Sequence, residues 1–180
     1  MVMKMKELLR QSFFISVLVF ATNWTVDSAN SKITFTVKGP FGTVHGSFTG
    51  LKATIKFDEK DLAGSSITAT IDASTVSTGV GLRNHDLRSE EKWLNTDKFP
   101  TISFHSSKIE KAGNGFKAVG ELTLKGTTKP LEIPFTFENN KDGGIFKGHF
   151  DINREDYKIG NHGGSVGTTI SISLEVPVKK

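Results

Sequence analysis

Apolar and polar residues alternate with period two along most of this chain, and that alternation confines it to β-sheet. The segment from Gly115 to Phe137 reads GFKAVGELTLKGTTKPLEIPFTF. Phe116, Ala118, Leu122 and Leu124 share one parity, and Leu131, Ile133, Phe135 and Phe137 share another beyond the turn LKGTTKP. A period of two puts alternate side chains on the same face of a strand. One face is then apolar while the other carries Lys, Glu and Thr. An antiparallel sheet with one wet face buries the other, so the pattern calls for a closed or nearly closed β-structure with an apolar interior.

The same signal recurs on both sides of that segment. Ile33, Phe35 and Val37 alternate, and the turn signal Gly39-Pro40-Phe41-Gly42 follows. Val44, Gly46 and Phe48 continue on even positions, whereas Leu51, Ala53, Ile55 and Phe57 lie on odd ones. A glycine at the flip, Gly50, reads as a bulge or a sharp strand bend, which a barrel needs in order to close. Further faces come from Ile67, Ala69, Ile71 and Ala73, from Ile102 and Phe104, from Phe146, Gly148, Phe150 and Ile152, and from Ile170, Ile172, Leu174 and Val176. Eight or nine strands with closely spaced turn signals indicate an all-β barrel or sandwich. One stretch breaks the pattern: Gly79 to Pro100, GVGLRNHDLRSEEKWLNTDKFP. Ser89 followed by Glu90 and Glu91 reads as a helix start. Leu87, Trp93 and Leu94 form a short apolar stripe. One or two short helices are expected across one end of the barrel.

The first residues carry a separate message. Lys4, Lys6 and Arg10 precede the uncharged apolar run Ser12 to Ala21, and Val19 and Ala21 fit a small-residue cleavage site. This is the anatomy of a secretory signal, and the run is about half the length of a membrane-spanning helix. Residues 1–21 are therefore expected to be a cleaved signal peptide and 22–180 a single periplasmic or secreted domain. The chain has no Cys, which excludes disulfides, thiolate metal sites and a Cys-linked lipid anchor. Its formal charge is +4, part of it on residues 1–10, and no run of five Lys or Arg occurs. A nucleic-acid partner is not expected.

Catalytic motifs fare poorly. Gly163-Gly164-Ser165-Val166-Gly167 fits G-x-S-x-G, but a glycine loop precedes Ser165 and a strand follows it, the wrong context for a nucleophile elbow. His45, His85, His105, His149 and His162 do not pair at i+2 or i+4, and the first, third and fourth fall on polar parities. Neither an enzyme activity nor a metal or cofactor is expected. Arg83, Arg88, Arg154 and Asp156 are the polar residues that would form either a charged rim for a head group or loop salt bridges and helix caps, the second reading being favoured for Arg83 and Arg154.

Several motifs, in order, resemble the YceI-like family of polyisoprenoid-binding or lipid-binding domains. They are Trp24-Thr25-Val26-Asp27 with Ser31, Ile33, Phe35 and Val37; Val44-His45-Gly46-Ser47-Phe48; and Arg83-Asn84-His85-Asp86-Leu87-Arg88-Ser89 with Phe99-Pro100-Thr101 and Phe104. Gly120 to Pro130 and Ile152 to Tyr157 complete the set. The resemblance runs from Trp24 to Val178. Departures fall on polar segments: Asn84 stands where the family usually has an acid, and Asp86 where it usually has His. The resemblance implies an extended lipocalin-like antiparallel barrel, export to the periplasm, and an apolar pore for a long-chain amphiphile such as a polyisoprenoid, an isoprenoid quinone or a fatty-acid-type lipid. Phe35, Phe48, Leu122, Phe135, Phe146, Phe150 and Ile172 are then expected to contact the ligand, with Arg88 and Arg154 at its head. Gly46 and Gly148 would leave room among the Phe residues. The carrier would act as a monomer or homodimer. The competing expectation is a filled barrel in the envelope that acts through a protein partner.

Overall fold

The computed structural model describes residues 21–180. The expected signal peptide, apart from Ala21, lies outside the described residues.

Ten strand segments form one sheet: β1 (Thr22–Val26), β2 (Lys32–Gly39), β3 (Gly42–Phe48), β4 (Lys52–Phe57), β5 (Ser66–Asp72), β6 (Thr101–Ala112), β7 (Gly115–Leu124), β8 (Thr127–Asn139), β9 (Gly143–Asn153) and β10 (Thr169–Lys179). Every pairing is antiparallel. The ten segments make eight staves, because β1 and β2 are halves of one bent strand and β3 and β4 halves of another. Strand β10 closes the barrel. It pairs with β9 along its whole length, with β2 through Ile170–Glu175 and with β1 through Val178 and Lys179.

The two bends face each other. Asp27 accepts hydrogen bonds from the backbone and side-chain N–H groups of Asn30, and Ser31 donates to the Asp27 carbonyl. This Asx turn takes the chain out of the ladder. Across from it, Gly50 adopts φ +71°, as the parity flip requires. Below the bends β4 pairs with both β1 and β5. Above them β3 keeps β2, but on its other side has a single bridge, Ser47 to Ser77. The barrel wall therefore has a seam beside β3.

The turn between β7 and β8 is tighter than the sequence reading placed it. Lys125 and Gly126 have φ of 49° and 69°, the two positive values of a type I′ turn, and β8 resumes at Thr127. Strand β6 also runs well beyond the Ile102 and Phe104 face that the alternation marks. A register shift between Ser106 and Lys108 lets it continue to Ala112, and the resulting parity change hid Ile109 from a strict period-two reading. The helical insert needs a correction. Helix α1 spans Gly81–Ser89, so Ser89 ends it rather than starting one. The Ser89 hydroxyl donates back to the His85 carbonyl, and Glu90 is extended. The chain then folds back, with Leu94 N–H bonded to the Leu87 carbonyl and Thr96 N–H to that of Arg88, which carries Trp93 and Leu94 inward. Short 3-10 turns at Ala73–Thr75 and Arg154–Tyr157 complete the fold.

One end of the barrel is solid. Phe57, 1% exposed, meets the rings of Phe116, Phe135, Phe137 and Phe146 edge-on at 5.0–5.5 Å. Trp24 stacks edge-on to Phe137 and donates its indole N–H to the Phe57 carbonyl. Such pairs add about 0.5–1.5 kcal/mol each to the burial of their area. The plug anchors the sheet and sets the floor of what lies above it.

Candidate functional site

Above the aromatic plug the barrel holds a cavity of about 260 Å³. Strands β2 to β10 contribute inward-facing residues to its wall, whereas β1 contributes none. Strand β10 supplies Ile170, Ile172, Leu174 and Val176, which spans roughly 20 Å at the usual rise per residue. Phe135 and Phe146 form the floor, and Phe35, Phe48, Phe150 and Leu122 the sides. The wall is almost wholly hydrocarbon. A cavity of this kind stays dry when empty, and one near 150 Å³ already accepts a benzene-sized guest.

All seven apolar residues expected at the ligand line this cavity. The two arginines part company. Arg154 is 2% exposed and lies in the cavity wall, yet its guanidinium points into a ring of carbonyls. Nε donates to Gly167, one terminal nitrogen to Ile159 and Asn161, and the other to Asn161 and Val166, at 2.7–3.2 Å. All five N–H groups of the fork are engaged. Arg154 thereby holds the segment 159–167 in place, and with it Ile159 and Val166, which also line the cavity. Arg88 is not among the lining residues. It is half-buried and reaches the carbonyls of Ser74 and Val76 at 3.4 Å, tying α1 to that segment.

The insert and the 159–167 segment form the cavity's upper wall together. Gly160 N–H bonds to the Lys92 carbonyl, the Trp93 ring lies against Gly160, and Gly167 N–H bonds to the Lys38 carbonyl. Val76, Leu87, Trp93 and Leu94 complete the lining. Of the wall residues, Val76, Ile159 and Val166 carried no usable signal in the sequence, because they lie outside regular strands. Asn84, one of the departures on α1, accepts hydrogen bonds from both the backbone N–H and the hydroxyl of Thr78 and so ties the helix to the lip of the seam.

Beside Arg154, Glu155 accepts a hydrogen bond from His162 Nδ1 at 2.7 Å. That bond, reinforced by the His162 and Arg154 charges, holds the Glu155 carboxyl below its ordinary value of 4.5. Its other oxygen, Oε1, is buried, lies 3.4 Å from an Arg154 nitrogen, and has no hydrogen bond. Ser165 is exposed in the loop that precedes β10, with no strand before it and no helix after it. His45, His105 and His149 are exposed on three different strands.

Residues 24–178 match the YceI-like domain. The chain belongs to the YceI-like family. Among curated relatives of this YceI-like chain is the UPF0312 protein YE1254 of Yersinia enterocolitica, 32% identical over 142 residues, which are 76% of this chain and 73% of that protein. A UPF0312 protein of Yersinia pestis is 30% identical over the same length. Among solved structures, Burkholderia cenocepacia BcnA superposes with a TM-score of 0.80 at 28% identity, covering 86% of this chain and 99% of its own. A polyisoprenoid binding domain from Saccharophagus degradans, implicated in plant cell wall breakdown, shares the fold with a TM-score of 0.68 at 14% identity, over 87% of this chain and 97% of that domain.

Proposed function

We propose that this YceI-like protein is a non-catalytic carrier that holds one long apolar chain, of polyisoprenoid, isoprenoid-quinone or fatty-acyl type, in its barrel. The observation that carries the reading is the dry hydrocarbon cavity above a solid aromatic floor. Each methylene transferred from water contributes about 0.8 kcal/mol. About ten of them would supply ~8 kcal/mol, the scale of a micromolar complex before ordering costs. The chain would contact Phe35, Phe48, Leu122, Phe135, Phe146, Phe150 and Ile172. Arg154 contributes the shape of the wall rather than a free charge, and Arg88 ties α1 to the Ser74–Val76 segment, so the head group is left near the seam. A cavity of 260 Å³ lies just below the usual range for ligand pockets. A longer chain therefore emerges through the seam or displaces the Phe35 and Phe48 rings.

Gly148 supplies the test. It lines the cavity between Phe135 on β8 and Leu174 on β10. A side chain there would start 3.2 Å from the Pro134 carbonyl oxygen and 3.6 Å from Ile133 Cγ2. Gly148→Phe is expected to keep the β-sheet circular dichroism signal and abolish uptake of an apolar fluorescent dye. Undiminished uptake in a folded variant contradicts a site inside the barrel.

The same reading includes export. The Lys4, Lys6, Arg10 and Ser12–Ala21 pattern supports a periplasmic or secreted protein that begins near Thr22. Intact-mass analysis of the soluble protein from its producing cell is expected to show that N-terminus, and a soluble protein retaining Met1 contradicts it.

A further inference from the structure

Among the described residues, three large apolar side chains are exposed: Phe41, Val80 and Leu82. Single exposed apolar residues need no explanation. These three, however, all sit on the two segments that border the seam beside β3. Phe41 is fully exposed at the tip of the β2–β3 hairpin, between Pro40 and Gly42. Val80 and Leu82 open α1, just after Ser77, which makes the single bridge to Ser47 across the seam. Both sides of the seam reach the cavity, through Phe48 on one and Val76 and Leu87 on the other.

Charge follows the same geography. The hairpin from Lys32 to Phe48 contains no Asp or Glu, and Asp86 is the one acid on α1, against Arg83 and Arg88. By element, the β2–β3 hairpin and α1 together hold four Lys or Arg and one acid. Lys32 is paired with Glu175; Lys38, Arg83 and Arg88 leave the two segments that border the seam net positive.

We propose that the seam docks on an anionic bilayer surface. Phe41 and Leu82 enter the headgroup layer, Lys38, Arg83 and their neighbours face lipid phosphates, and an apolar chain passes sideways from the bilayer into the barrel. Separate apolar side chains among basic ones are how proteins lie on an anionic membrane. A protein partner would call for a contiguous apolar face with few charges at its centre. The inference rests on the carrier reading for its purpose but not for its evidence.

Flotation of the chain Ala21–Lys180, which holds every strand of the barrel, tests it. The vesicles are phosphatidylglycerol–phosphatidylcholine or phosphatidylcholine alone, and the proteins are the parent chain and Phe41→Ser/Leu82→Ser. The parent is expected to float with anionic vesicles and to be released by high salt. The double variant should lose at least about ten-fold in partitioning, since burial of one such side chain exceeds that factor. Its uptake of a soluble apolar dye should be unchanged, because neither residue lines the cavity. A parent that ignores anionic vesicles, or a double variant that floats equally well, overturns the docking surface whatever the dye does. Equal loss of dye uptake would also overturn it by assigning the two residues to the cavity. Docking as expected without any dye uptake leaves the surface standing and removes the carrier reading instead.

Discussion

The ring of Phe35 lies across Gly46, its direct partner on the neighbouring strand. A methyl group at position 46 would sit 2.6 Å from Phe35 Cε1, so the space that a glycine seems to leave in the wall is already taken. Phe35 also stands 5.6 Å from Phe48, and the two rings set the width of the cavity on that side.

Gly46→Ala should therefore turn the Phe35 ring into the cavity. Because a side chain moves rather than backbone, the cost to stability is expected below about 1 kcal/mol, while dye affinity falls. Phe35→Ala should do the reverse. Fully buried Phe→Ala changes cost about 3–5 kcal/mol, and Phe35, half-buried and facing the cavity, should cost less, about 1–3. Paired thermal melts and dye titrations check both. Tighter binding in Gly46→Ala would contradict this geometry.

Parity in the sequence indicated which side of each strand is dry, and the barrel follows that pattern from Ile33 to Val176. It also located the bend at Gly50. It carried no information on height along the barrel axis. Phe57 and Phe137 share the inward parity with Phe35 and Phe150, yet the first two are locked in the plug and the last two border the cavity. Ser89 looked like a helix cap because its acidic neighbours suit a first turn, but the tertiary need to bring Trp93 and Leu94 inward ended the helix there. Arg154 looked like a rim charge because nothing in a sequence shows where the carbonyls of residues 159–167 converge.

That convergence makes a prediction. Arg154→Lys cannot satisfy five bonds from a planar fork, and of the carbonyls it abandons that of Ile159 is buried and the others are partly buried. A loss of about 2–4 kcal/mol is expected, read as a drop in melting temperature at roughly 2–4 °C per kcal/mol for a domain of this size. Dye affinity should fall equally for neutral and anionic head groups. An unchanged melting temperature with a loss confined to anionic ligands would instead make Arg154 a head-group contact.

Glu155 gives the same segment a pH dependence. Its folded-state pKa is depressed, first by the hydrogen bond from His162, so its contribution is present above the unfolded value of 4.5 and is lost as pH falls through the lower folded one. Amide exchange across residues 155–167 should accelerate in that acidic window. Glu155→Gln should already show the faster exchange at neutral pH and no further change across the window. A wild-type profile flat below pH 4.5 would show that the bond contributes nothing.

Native mass spectrometry of the protein purified from its own cell envelope tests the carrier account most directly. The account predicts a population heavier than the mature chain by one long-chain apolar molecule, released by organic solvent and absent in Gly148→Phe. A single peak at the mass of the bare chain, in a protein that also takes up no apolar chain offered to it, would contradict it.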